Sequence, residues 1–142
     1  MISIDTNILF KAAVPVAENH AQAREFIDSL QNKNVMICEL VLSELYILLR
    51  NPIVTKQNLP VAKVMEIINA LRNHPTWALV ENAPVMAEVW KLAATENFAR
   101  RRLYDIRLGL TLRHHGVKEF ATINTKDFEG LGFDKVFNPL GT

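Results

Sequence analysis

The feature that most constrains the fold of this chain is an alternation of short apolar runs with longer segments of helical spacing. Met1 to Ile4, Val35 to Cys38, Trp77 to Glu81 and Glu119 to Ile123 read as strands, with Val136-Phe137 as a short last one. Helices are expected from Ile8 onward, over residues 19–31 with Ala23, Phe26, Ile27 and Leu30 on one face, and over residues 39–50, 59–73, 84–97 and 103–115. Asn51-Pro52 stops the third of these and Pro60 opens the fourth. Gly116 stands where a left-handed cap ends the last, and residues 124–132 read as polar turn and loop. Parallel neighbours need crossover connections, so the pattern predicts an α/β protein: a short-stranded parallel sheet flanked by helices in three α/β/α layers. In such sheets the functional groups gather beyond the carboxyl ends of the strands.

At 142 residues the chain is sized for one domain, residues 1–142, and two domains would each be too small. With 49% hydrophobic and 22% charged residues, it has the balance of a protein with a real core. Cys38 is the only cysteine, which excludes disulfide scaffolds and zinc fingers and suits a reducing compartment. No apolar run approaches the roughly 20 residues that span a bilayer. The opening MISIDTNILF has no basic stretch ahead of its apolar residues, so a soluble, cytoplasmic protein with no membrane partner is expected. The net charge of +1 gives no general attraction to nucleic acid, but it conceals a local excess. Residues 100–118 hold six basic side chains, Arg100, Arg101, Arg102, Arg107, Arg113 and Lys118, against the single acid Asp105. On charge alone, a solvated helix face explains that block as well as a phosphate-binding one.

The carboxylates decide between these readings. Asp5 follows directly on the first strand, where an N-cap and a catalytic acid are equally good explanations. Glu44 has Leu40, Val41, Ile47 and Leu48 as its helical neighbours, which places it on the most apolar face of its helix. A carboxylate buried there costs several kcal/mol or more unless a cation compensates it, either a basic side chain or a metal. Asp105 opens the arginine-bearing helix, with Gly109 one turn on to permit close approach of a neighbouring element. Asn124 and Asp127 follow the strand Phe120-Ala121-Thr122-Ile123, where Asx-turns are the plain alternative. Together these acids would repel one another at one sheet edge unless a divalent ion neutralised them, and hard Mg²⁺ or Mn²⁺ suits an all-oxygen set. One or two such ions activate a water for attack on a phosphodiester and stabilise the charge that develops. A polyanionic substrate would also give the arginines a purpose. Adjacent His114 and His115 diverge by about 100° on a helix and do not chelate together. Cys38, Trp77, Trp90 and Phe98 read as core, and no Walker or dinucleotide-binding glycine loop is present.

In their order and spacing, Ile4-Asp5-Thr6-Asn7, Ser43-Glu44-Leu45, the helix from Asp105 to His114-His115-Gly116-Val117, and Phe120-Ala121-Thr122-Ile123-Asn124-Thr125-Lys126-Asp127-Phe128 resemble the PIN-domain ribonucleases. The likeness is greatest to the VapC-type toxins of bacterial type II toxin–antitoxin systems, and extends to the closing Phe137-Asn138-Pro139. The resemblance implies a PIN-like fold, Mg²⁺- or Mn²⁺-dependent endoribonuclease activity, a homodimeric toxin and a cognate antitoxin protein. By position, Asp5, Glu44, Asp105 and Asp127 are the implied catalytic and metal-binding acids. Thr6, Asn7 and Asn124 support them, and Arg100, Arg101, Arg102 and Arg107 bind RNA. Many relatives carry an acid where this chain has Asn124, and others carry one at Asp127, so either position completes the set. The alternative is a catalytically silent PIN-like module that binds RNA or a protein.

Overall fold

The computed structural model describes residues 1–141. Among them the chain forms β1 (Ile2–Ile4), α1 (Thr6–Ala13), α2 (His20–Ser29), β2 (Val35–Cys38), α3 (Glu39–Leu49), α4 (Pro52–Thr55), α5 (Val61–Arg72), β3 (Ala78–Val80), α6 (Met86–Ala93), α7 (Arg102–His114), β4 (Glu119–Ala121) and β5 (Lys135–Phe137). A 3₁₀ turn at Thr125–Phe128 lies within the expected loop between β4 and β5. The five strands form one sheet in the order β3-β2-β1-β4-β5, and every neighbouring pair is parallel. The expected α/β architecture is therefore present. From β1 the chain first builds outward through β2 and β3, then returns to lay β4 on the other side of β1. The connections thus reverse direction between β1 and β4, which is where a parallel sheet opens a crevice at its carboxyl edge.

The central strands are buried on both faces because helices cover each side, as their unbroken apolar sequences require. Ile4, all of β2, and Phe120 with Ala121 belong to the core. Helix α3 contributes Val41, Leu42, Leu45 and Leu49, and α7 contributes Leu108 and Leu112. Gly109 sits where an added Cβ would run into Leu131 and come within 3.5 Å of Phe128, so its smallness lets the β4–β5 loop close onto α7. Gly116 adopts φ +90° after α7, the left-handed conformation expected of it.

Three expectations need correction. The helix over residues 84–97 ends at Ala93, and Asn97 turns the chain with a positive φ of 62°. Asn51 caps a further short helix, α4, instead of only ending α3, because its side chain accepts from the Ile53 N–H and Pro52 occupies the first helical position. Trp90 is not core: it is 57% exposed on α6, whereas Trp77 is buried and donates its indole N–H to the Leu30 carbonyl.

Candidate active site

Asp5 is placed by the strand-to-helix junction itself. It leaves β1 in extended conformation and caps α1, its Oδ1 accepting the Thr6 N–H at 2.8 Å. Its Oδ2 accepts the Thr122 hydroxyl at 2.6 Å and the Asn7 amide at 3.5 Å. Asn7 in turn accepts the Ile123 N–H at 3.4 Å, and Thr122 also accepts the Asn124 N–H at 3.0 Å. The ends of β1 and β4 are thereby laced together around one carboxylate. Asp5 is 6% exposed, and burial outweighs these hydrogen bonds in pushing its pKa up to about 6, with Glu44 and Asp127 adding repulsion. Capping thus occupies Oδ1, while Oδ2 is held separately by Thr122.

Asp105 lies in the first turn of α7. Its pKa is also raised to about 6, first by desolvation and then by Asp5 and Asp127, while Arg102 and Arg101 partly offset the rise. Glu44 is shifted upward by desolvation and by Asp105, and the Thr6 hydroxyl opposes that shift. Asp127 comes from the 3₁₀ turn after β4. The structure thus brings Asp5, Glu44, Asp105 and Asp127 into one electrostatically coupled group at the β1–β4 crevice. Among the described residues no ion pair involves any of the four. The acids crowd without closing: no three His, Cys, Asp or Glu side chains among the described residues stand close enough to enclose an ion. Their chemistry nonetheless suits a hard divalent cation, since the donors are carboxylates whose negative charge is disfavoured first by burial and then by one another.

The environment of Glu44 differs from the expected one. The face of α3 that packs inward is Val41, Leu42, Leu45 and Leu49, and Glu44 is exposed alongside Ile47. Helix α3 is apolar nearly all round, so its pattern does not determine which face is buried. Glu44 is therefore a rim residue, exposed overall, whose carboxyl is partly desolvated beside Thr6 and within electrostatic reach of Asp105.

The arginines separate into two kinds. Arg100 and Arg101 are exposed. Arg102 is half-buried and donates from Nη2 to the backbone carbonyl of Asp127 at 3.0 Å, tying the start of α7 to the 3₁₀ turn. Arg107 is half-buried with its guanidinium 5.1 Å from the centre of the Tyr104 ring. Arg101, Ile123, Asn124, Thr125, Lys126 and Asp127 line an open cleft of about 330 Å³ beside the carboxylates. Thr122 had not stood out as a site residue. Phe120, Ala121 and Thr122 are all buried, so alternation along this strand does not mark the hydroxyl. His114 and His115 meet edge to face at 5.3 Å, and His115 bonds the Glu81 carbonyl, consistent with packing. Cys38 is buried, and burial pushes its thiol pKa up, away from reactivity.

A sheet crevice at a strand-order reversal, with carboxylates from the exits of β1 and β4 and from α3 and α7, defines a class of protein that comparison with known chains specifies further. Residues 2–134 match the PIN domain family model. The chain is 51% identical, over 99% of its length and 97% of the relative's, to Ribonuclease VapC24 of Mycobacterium tuberculosis, in strains CDC 1551 / Oshkosh and ATCC 25618 / H37Rv alike. Among solved structures, Mycobacterium tuberculosis VapC20, described as a sarcin-ricin loop cleaving toxin, superposes with a TM-score of 0.66 at 15% identity. That likeness covers 94% of this chain and 96% of VapC20. FitAcB from Neisseria gonorrhoeae gives 0.65 at 22% identity, with full coverage of both chains. At those identities the two structures speak for the fold alone. The chain belongs to the PIN-domain family, in its VapC-type branch.

Proposed function

We propose that this protein is a Mg²⁺- or Mn²⁺-dependent endoribonuclease that acts as the toxin of a toxin–antitoxin pair in the cytoplasm. The observation that carries this reading is the convergence of Asp5, Glu44, Asp105 and Asp127, brought from sequence-distant elements to one sheet edge where burial, reinforced by repulsion among them, disfavours their charge and no ion pair among the described residues relieves it. The 51% identity to Ribonuclease VapC24, over 99% of the chain, supports the same reaction class. Asp5, Glu44 and Asp105 would hold the cation, with Asp127 completing the set. A bound divalent ion supplies positive charge that polarises the scissile phosphate and lowers the pKa of water. The chain's own residues do the positioning. Thr122, Thr6 and Asn7 hold Asp5 in one orientation, and Arg102 fixes the turn that carries Asp127 relative to Asp105. Arg100 and Arg101 are exposed and in no ion pair among the described residues, so they are available to phosphates.

Exposed Ile47 (67%) and Ile53 (86%), on the contacting helices α3 and α4, supply apolar surface suited to a protein partner, in keeping with a cognate antitoxin or a second copy in a homodimer. Among the described residues no helix is long and apolar enough to cross a membrane. The test is cleavage of single-stranded RNA with Mg²⁺ or Mn²⁺. We expect products from the wild type and none after EDTA or in Asp5→Asn. Cleavage surviving both controls contradicts the site, and no cleavage with any divalent metal points to the silent binding module.

A further inference from the structure

We propose that the cleft beside Asp127 is a subsite for one unpaired nucleotide of the RNA strand, its phosphate held by Arg101 and Lys126 and its base edge read by Asn124. This deepens the endoribonuclease reading and rests on it. The cleft's volume of about 330 Å³ is at the small end of ligand sites, which run from about 300 to 1,000 Å³, so it accommodates a small ligand and not a folded element.

Its lining matches the three parts of a nucleotide. Arg101 and Lys126 are exposed cations, neither in an ion pair among the described residues, set against the single acid Asp127. Arg101 acts electrostatically on Asp105 from one helical turn away, which places the phosphate-binding end next to the carboxylates. Half-buried Ile123 offers an apolar wall to a ribose or a base face. The backbone of Asn124 is fixed by its N–H donating to Thr122 and its carbonyl accepting the Asp127 N–H at 3.1 Å. The residue is exposed, and its side-chain amide makes no hydrogen bond among the described residues. An amide so held presents one acceptor and two donors, the complement of a base's hydrogen-bonding edge. That edge is available only when the base is unpaired, which sets the substrate class as single-stranded or looped RNA.

The experiment uses the full-length protein. Binding of a short unpaired oligoribonucleotide is followed by fluorescence anisotropy across a salt series in the Asp5→Asn background, so that cleavage does not interfere. Arg101→Ala and Lys126→Ala should each weaken binding and flatten the dependence of log K on log salt by about 0.7, the release expected for one phosphate contact on a single strand. Asn124→Ala should leave that slope unchanged. In the otherwise wild-type enzyme it should erase the base preference at one position flanking the cut in a randomised RNA pool. Unchanged slopes in both cation variants, or an unaltered preference in Asn124→Ala, would overturn the subsite. If the wild type cuts no RNA the endoribonuclease reading fails, and the salt slopes still decide whether the cleft takes a phosphate. All three side chains are exposed, and matching thermal melts confirm that the variants are folded.

Discussion

Asp5 sits between opposing demands of burial and hydrogen bonding. Hydrogen bonds from Thr122 and Thr6 favour its ionised form, yet burial holds its pKa near 6, against an ordinary value of 3.8. At neutral pH the ionised carboxylate therefore costs the folded state about 3 kcal/mol at about 1.4 kcal/mol per pKa unit. The sign follows from proton counting: between about pH 4 and 6 the folded chain holds the proton that the unfolded chain has released, so stability falls as pH rises through that window. Replacing Asp5 by Asn removes the charge and leaves an acceptor for Thr122 or Thr6. In EDTA above about pH 6, Asp5→Asn should melt several degrees higher than wild type, and the gain should shrink toward zero as pH falls to about 4. A lower melting temperature at neutral pH would show that Asp5 is a structural cap and nothing more.

At the scale of elements, the sequence foretold most of what matters, for reasons that can be named. The β1-to-α1 junction was legible because a short apolar run meeting Asp5-Thr6-Asn7 is both a strand end and a helix cap. The interior helix boundaries followed from Pro60 and Gly116. Glu44 was singled out as buried on the most apolar face of its helix and is instead exposed, because α3 is apolar on most faces and its pattern alone does not fix its rotation. What stayed hidden was contact across the sequence: Thr122 reaches Asp5 over 117 positions, and Arg102 reaches Asp127 over 25. No local period encodes such pairs. Glu44→Leu should abolish cleavage without lowering the melting temperature in EDTA, since the side chain is exposed and its charge is opposed by Asp105. A clear fall in stability would restore a packing role. Gly116→Ala places a Cβ in open space but forces φ +90° on an L-residue, so urea unfolding should show a loss of about 1 kcal/mol. Gly116 precedes β4, at the sheet edge opposite the carboxylates, so activity should remain unchanged.

At the scale of the whole molecule, the sheet order explains why the site lies where it does. Because β4 returns to the side of β1 away from β2, the exits of β1 and β4 face a crevice that no crossover covers, and α3 and α7 bring Glu44 and Asp105 to its rim. The fold holds this edge under electrostatic strain that the core must offset, an arrangement expected when function, not stability, selects the residues. Removing negative charge relieves the strain. So does adding a divalent cation, which stabilises the protein only to the extent that it binds the folded form.

The most direct measurement is the melting temperature with Mn²⁺ and with EDTA, scanned across pH for the wild type and for Asp5→Asn/Asp105→Asn. The wild type should gain several degrees from Mn²⁺ above about pH 6 and progressively less toward pH 4, as protons displace the ion from both carboxyls, while the double variant should show no gain at any pH. Equal melting temperatures with Mn²⁺ and EDTA for the wild type at every pH would contradict the claim that these acids form one cation site.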